Sequence, residues 1–168
     1  MEAADLEDLY QTVILDHSRR PRNFGEMPDA TITVDGDNPT CGDEVHLHLR
    51  LAEDGKIEKV SFTGSGCSIC IASASMMTQK IKEKSTAEAD ALLADFQGMI
   101  TGSAPEPSPK SLGDLRLLSG VRKFPQRVKC ATLAWHALKQ ALHAKPGAKT
   151  EDGLDLNHVS LSPGDPDL

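Results

Sequence analysis

Residues 44–64 restrict the fold more than any other part of the chain. In "EVHLHLRL" (44–51), Val45, Leu47, Leu49 and Leu51 fall on one side; Glu44, His46, His48 and Arg50 fall on the other. Successive side chains of a strand point to opposite faces, so the alternation predicts a strand with one buried face and one wet face. "EDGK" (53–56) supplies an Asp-Gly turn, and "IEKVSFTG" (57–64) reads as the returning strand. In such a hairpin, the residues just before 44 lie beside those just after 64. Upstream, "ATITV" (30–34) reads as a further short strand, making an antiparallel meander.

Helical periodicity flanks the meander on both sides. "DLEDLYQTVILDH" (5–17) puts Leu6, Leu9, Tyr10, Val13 and Ile14 on one stripe, and Pro21 stops it. "CSICIASASMMTQKIKEK" (67–84) predicts a helix starting near Cys67, with Ile69, Ala72 and Met76 at helical spacing. "TAEADALLADFQGMI" (86–100) gives another through Leu92, Leu93, Phe96 and Met99. "TGSAPEPSPKS" (101–111) reads as a loop and "LGDLRLLSG" (112–120) as a short helix. The strongest helical pattern is "FPQRVKCATLAWHALKQALHAK" (124–145), with Pro125 as its first residue and Val128, Ala131, Trp135, Leu138 and Leu142 as its stripe. Pro146 and Gly147 end it. The fold expected is α+β: a small antiparallel three-stranded sheet with helices packed on one face. One domain fills residues 1–147, and residues 148–168 form an acidic tail expected to be disordered.

The charge balance narrows the function. Of a net charge of −7, five charges belong to Glu151, Asp152, Asp155, Asp165 and Asp167 in the tail. Nucleic-acid binding needs a basic footprint, which such a chain lacks. Local basic clusters, "RRPR" (19–22) and "VRKFPQRVK" (121–129), read as solvated surface or as faces for an acidic protein partner. No apolar run is long enough to span a membrane, and "MEAADLEDLY" lacks a secretory layout, so the cytoplasm is the expected location.

Four cysteines remain: Cys41, Cys67, Cys70 and Cys130. In a cytoplasmic chain, metal binding or redox chemistry is the better reading than disulfides. The hairpin brings Cys41 and Asp43, just before one strand, to the same end of the sheet as Cys67, just after its partner. Cys130 lies in the first turn of the last helix, another element end. Three thiolates and a carboxylate suit a tetrahedral zinc ion, and thiolates also admit iron or an iron–sulfur cluster. A helix N-terminus at Cys67 lowers a thiol pKa. Burial of scattered cysteines is the plain alternative. Cys67 and Cys70 make a C-x-x-C, but the βαβ unit of a thioredoxin-like site is missing. Cys70 is either a reserve thiol one turn from Cys67 or a core residue; core is the reading taken. His46 and His48 read as exposed strand residues, and His136 and His143 as surface positions on the last helix.

Together, "NPTCGD" (38–43), "GSGCSICIASASMMT" (64–78) and "RVKCATLAWHAL" (127–138) resemble the iron–sulfur assembly proteins of the IscU/NifU-like family. The opening "LYQTVILDHSRRPRNFG" (9–25) is similar too, so the resemblance spans about residues 5–145. Two features point to its SufU branch. Lys129 stands where the scaffold branch has histidine before the last cysteine, and "GMITGSAPEPSPKSLGDLRLLSGV" (98–121) is an extra segment. The resemblance implies a zinc-dependent sulfurtransferase whose ligands are Cys41, Asp43, Cys67 and Cys130. Cys41 would accept persulfide sulfur from a SufS-type cysteine desulfurase that uses pyridoxal phosphate. A desulfurase histidine would free Cys41 from zinc to attack. The alternative it leaves open is a scaffold that builds and hands over a [2Fe–2S] or [4Fe–4S] cluster. A protonated lysine offers no lone pair to a metal, so a scaffold that uses histidine there loses a donor. Lys129 would orient or deprotonate a sulfur species, contact the desulfurase, or be an ordinary basic residue.

Overall fold

The predicted hairpin forms, with an irregularity in its pairing at Arg50 and Leu51. In the computed structural model, which describes residues 3–39, 41–103, 110–143 and 158–160, β2 (Asp43–Leu51) pairs antiparallel with β3 (Ile57–Ser65), placing Leu47 opposite Phe62 and Leu49 opposite Val60. On the other side β2 pairs antiparallel with β1 (Ile32–Asn38), with Val34 opposite Leu47 and Asn38 opposite Asp43. Val34, Val45, Leu47, Leu49 and Phe62 are all fully buried, so one face of the three-stranded sheet is the core face, as the alternation demands. Asn38 and Asp43 are the last rung of that same face.

Among the described residues, five helical segments accompany the sheet: α1 (Ala3–Arg19), α2 (Ser68–Ile81), α3 (Thr86–Thr101), a 3₁₀ segment (Lys110–Lys123) and α4 (Pro125–His143). On α1, Ile14 is buried, and Tyr10 and Val13 pack against the core, as predicted. The sequence suggested a one-sided stripe on α4, but burial goes well beyond it. Val128, Ala131, Trp135 and Leu138 are buried, and so are Thr132, Leu133, Ala134, Ala137 and Ala141. α4 is a central helix, touching β1 and β2 on one side and α2, α3 and the 3₁₀ segment on the others. The small residues Ala131, Ala134 and Ala137 allow that close approach.

Helix α2 is locked to α4 by a buried relay. Ser73 Oγ donates to the Ala131 carbonyl at 2.6 Å and accepts from Trp135 Nε1 at 3.2 Å. Trp135 stacks on Phe96 of α3, their ring centroids 4.3 Å apart. α1 is tied down similarly: His17 Nδ1 lies 2.7 Å from Ser75 Oγ, which also accepts the Arg22 backbone N–H.

Three findings differ from the sequence reading. His48 is buried, not exposed, with 6% of its surface accessible. It sits on the central strand between Thr33 and Ser61, its Nδ1 3.1 Å from Thr33 Oγ1, and Glu26 approaches its Nε2 at 3.5 Å. His46, its neighbour on that face, is half-exposed and bonded to Asp35 at 2.7 Å. Second, the segment before α4 is 3₁₀ and runs from Lys110, with a break in helical geometry at Gly113. Its buried residues Leu112, Leu115, Leu118 and Val121 recur every three positions. A 3₁₀ helix repeats every three residues, so that spacing keeps all four on the core side. Third, a short strand β4 (His158–Ser160) joins the sheet parallel to β1, giving the order β3-β2-β1-β4. It satisfies the outer edge of β1, whose backbone groups would otherwise stay unpaired. The rest of the 148–168 tail lies outside the described residues, as do Pro146 and Gly147 and most of the 101–111 loop. Among the described residues, no helix is long and apolar enough to cross a membrane.

Candidate metal centre

The end of the sheet where β1 passes to β2 is built for convergence. The backbone N–H groups of Cys41 and Gly42 both donate to the Asn38 carbonyl, at 3.2 and 2.8 Å, closing a tight turn. Gly42 sits at φ +73°, a left-handed conformation that glycine adopts without a Cβ penalty. The turn leaves Cys41 exposed at the surface and sends Asp43 inward, to 1% exposure.

Asp43 then meets the start of α2. Its Oδ1 accepts the Cys67 backbone N–H at 3.0 Å, so the carboxylate occupies the electropositive N-terminus of that helix. Gly66 makes room: a Cβ there would stand 2.6 Å from Asp43 Oδ1. The other oxygen, Oδ2, is buried with no hydrogen-bond partner. An orphaned buried carboxylate oxygen is costly and calls for a cation or donor.

Cys130 provides the neighbour from α4. Ligand atoms of Cys41, Asp43 and Cys130 all lie within 4.8 Å of one another, the one such group of three or more among the described residues. Cys67 stands next to this trio without belonging to it. Its thiol engages Cys130 instead, and the pair shares a proton unequally. A hydrogen bond from Cys130 holds Cys67 down to about 6; backbone N–H groups of the first turn of α2 contribute, and burial opposes. The same bond pushes the Cys130 thiol well above the usual range, and burial adds to it. Backbone N–H groups of Ile69 and Cys70 at the start of α2 favour negative charge on Cys67 over Cys130.

Cys70 is fully buried, and burial raises its thiol above the ordinary range. It is core, in agreement with the sequence reading. Lys129, half-buried beside Cys130, precedes it on the first turns of α4. His136 is half-buried further along, and exposed His143 lies 3.5 Å from Asp90; neither joins the cluster.

One residue of the site was not singled out from sequence. Arg127 lies against the cysteines: the negative charge of Cys67 and a bond to Cys130 raise its pKa above the ordinary guanidinium value. Its signal was visible only as part of the "VRKFPQRVK" cluster. The spacing of Arg127 and Cys130, three apart at the start of one helix, places both on one face.

The donor set fits a thiophilic divalent cation. Two thiols and a buried carboxylate converge, a third thiol abuts them, and Oδ2 lacks a partner. Sulfur and oxygen donors in that number suit tetrahedral zinc, and the sulfurs equally suit an iron–sulfur cluster.

Comparison with known proteins agrees with this architecture. The model of the NifU-like N-terminal domain matches residues 9–151, so the chain belongs to that family. Among its relatives, the zinc-dependent sulfurtransferase SufU of Bacillus subtilis is 48% identical over 145 residues, 86% of this chain and 96% of the relative. The iron–sulfur cluster assembly scaffold protein IscU of Streptococcus pyogenes is 46% identical over 149 residues, 89% of this chain and 92% of that one. A crystal structure described as a candidate iron–sulfur assembly scaffold of the SUF system, from Fervidobacterium islandicum, superposes with a TM-score of 0.71. It is 33% identical and covers 77% of this chain and 93% of its own.

Proposed function

We propose that this protein is a zinc-dependent sulfur acceptor for iron–sulfur cluster assembly in the cytoplasm, taking persulfide sulfur from a SufS-type cysteine desulfurase. The observation that carries the reading is the split in burial: Cys41 is exposed while Asp43 and Cys130 are buried. A sulfur acceptor must be reached by a partner's persulfide, and a metal anchor must not. The likeness to the SufU sulfurtransferase supports the same choice.

On this reading Cys41, Asp43, Cys67 and Cys130 hold the ion. Bound zinc would supply a positive charge that keeps thiols deprotonated near neutral pH. The Cys41 thiolate attacks the outer sulfur of the desulfurase persulfide. A new S–S bond forms on Cys41, the donor's S–S bond breaks, and the donor cysteine leaves as a thiolate, so no external oxidant or reductant is needed. Arg127, placed against the neighbouring sulfurs, offsets the negative charge that gathers there. Lys129, half-buried next to Cys130 on α4, would steady the transferred sulfur or contact the desulfurase. The chemistry lies within residues 1–147; of residues 148–168, the strand β4 (His158–Ser160) pairs with β1 at the sheet edge.

A second reading, a scaffold that assembles a [2Fe–2S] or [4Fe–4S] cluster, is favoured by the IscU relative and by the two thiols of the close group with Cys67 beside them. Metal analysis of aerobically purified protein separates the two. Colourless protein with about one zinc per chain agrees with sulfur transfer. A brown, stable cluster without zinc would put the scaffold in its place. Mass spectrometry after incubation with desulfurase and cysteine should find one extra sulfur on the Cys41 peptide.

A further inference from the structure

Beside the metal centre the surface opens into a cavity of about 790 Å³ between the 3₁₀ segment, α1 and the starts of α2 and α4. Its walls mix apolar side chains, among them Ile69, Leu117 and Phe124, with Arg116, Lys123 and Arg127. No acidic residue is among the described residues that line it. On a chain of net charge −7 this is a local reversal of sign.

Phe124 is the second unusual feature. It is 61% exposed, yet its backbone is fixed. Its N–H donates to the Val121 carbonyl at 2.8 Å, and its own carbonyl accepts from Arg127 and Val128 at 2.8 and 3.1 Å. A large aromatic ring carried on a hydrogen-bonded backbone, exposed to water and rimmed by cations, has the composition of an interface anchor. Arg127 belongs both to this groove and to the thiol site. A chain seated in the groove therefore lies alongside the cysteines.

We propose that this groove docks an acidic segment of the protein that delivers sulfur to Cys41. An apolar residue of that segment packs on Phe124, and its carboxylates pair with Arg116, Lys123 and Arg127. The proposal rests on the sulfur-acceptor reading above and adds the surface through which the donor is held. Opposite charges speed encounter and set orientation, while the buried aromatic contact sets residence time.

The test is calorimetric titration of the full-length, zinc-loaded protein against a SufS-type desulfurase. Phe124→Ala should weaken the Kd about tenfold or more, as loss of a central aromatic anchor does. Arg116→Glu/Lys123→Glu should weaken it comparably at low salt, with the difference from the parent shrinking as salt rises. Both sites are exposed, so unchanged circular dichroism and zinc content serve as folding controls. In turnover assays the concentration of half-maximal stimulation should rise by the same factor while the plateau holds. Unchanged Kd values in both variants overturn the proposal, even if sulfur still reaches Cys41. Tighter binding by full-length Asp165→Asn/Asp167→Asn, lost again when Phe124→Ala is added, would support it, because the chain's own acidic residues would then be competing with the partner for the same groove; Kd values that respond to the Asp165→Asn/Asp167→Asn change but to neither groove variant would overturn it. Groove-dependent binding with no sulfur on Cys41 would keep the docking surface and remove the sulfur-acceptor reading instead.

Discussion

Asp43 and Cys41 are two positions apart and have opposite environments. Asp43 is walled in by the α2 N-terminus and by Gly66; Cys41 stands in the open. That contrast makes Gly66 a sensitive position. Gly66→Ala would press a methyl group into the buried Asp43 carboxylate, 2.6 Å from the Oδ1 that accepts the Cys67 N–H, and would displace it from that bond. Zinc affinity, measured by competition with a chelating dye, is expected to fall about tenfold, the low end for a disturbed support of a metal ligand. The cysteines should separate by reactivity in metal-free protein. Alkylation of Cys67 by iodoacetamide should rise as pH climbs through about 6 and level off above it, because the thiolate is then fully formed. Cys70 should stay unlabelled until the protein unfolds, since it is buried and its thiol is pushed up. Peptide mapping across a pH series reads both. Much of this site was legible in the sequence: hairpin topology alone put Cys41, Asp43 and Cys67 at one end of the sheet. What it could not give was depth. Cys67's place just outside the close trio and Arg127's contact with the sulfurs depend on how α2 and α4 pack, which no local pattern records.

Two helices carry the site between them, and their mutual position decides whether the cysteines meet. Ser73 is the hinge pin of that contact, serving Ala131 and Trp135 at once. Ser73→Ala leaves the buried Trp135 N–H without a partner, a loss of about 1–3 kcal/mol. Thermal denaturation should show a Tm lower by several degrees, on the order of 2–4 °C per kcal/mol for a chain this size. The strands were the most legible elements, because alternation with a period of two has few rivals. The segment before α4 was the least. Its three-residue repeat of Leu112, Leu115, Leu118 and Val121 resembles an α-helical stripe over a short window, and the two separate only when the run lengthens. The burial of His48 was missed for a related reason. A period-two pattern says which face a residue is on, but not whether a neighbouring loop covers that face.

For the molecule as a whole, buried histidines give stability a pH dependence. His17 and His48 are both held below the ordinary value of 6.5, chiefly because burial disfavours the imidazolium. Arg22 strengthens the effect at His17, and Glu26 opposes it at His48. The unfolded chain therefore binds more protons than the folded one just below that value. Their contribution is complete above 6.5 and is lost as pH falls through the lower folded values. Metal-free protein should melt at a lower temperature at about pH 5.5 than at about pH 7.5, and His48→Gln should flatten that dependence. Metal is left out because its release on ligand protonation would add a further pH dependence; the Cys67 thiol, held down to about 6, contributes a loss in the same direction as pH falls, and His48→Gln leaves that part in place.

One comparison tests the acceptor role of Cys41 most directly: desulfurase turnover with the zinc-loaded protein against its Cys41→Ala variant, with Lys129→His alongside. Full-length protein should stimulate turnover and carry one extra sulfur on the Cys41 peptide alone. Cys41→Ala should give no stimulation, and Lys129→His should not convert the protein to a stable, coloured cluster carrier while leaving turnover intact. Undiminished stimulation by Cys41→Ala, or sulfur found on Cys67 or Cys130 instead, would contradict the assignment of Cys41 as the acceptor.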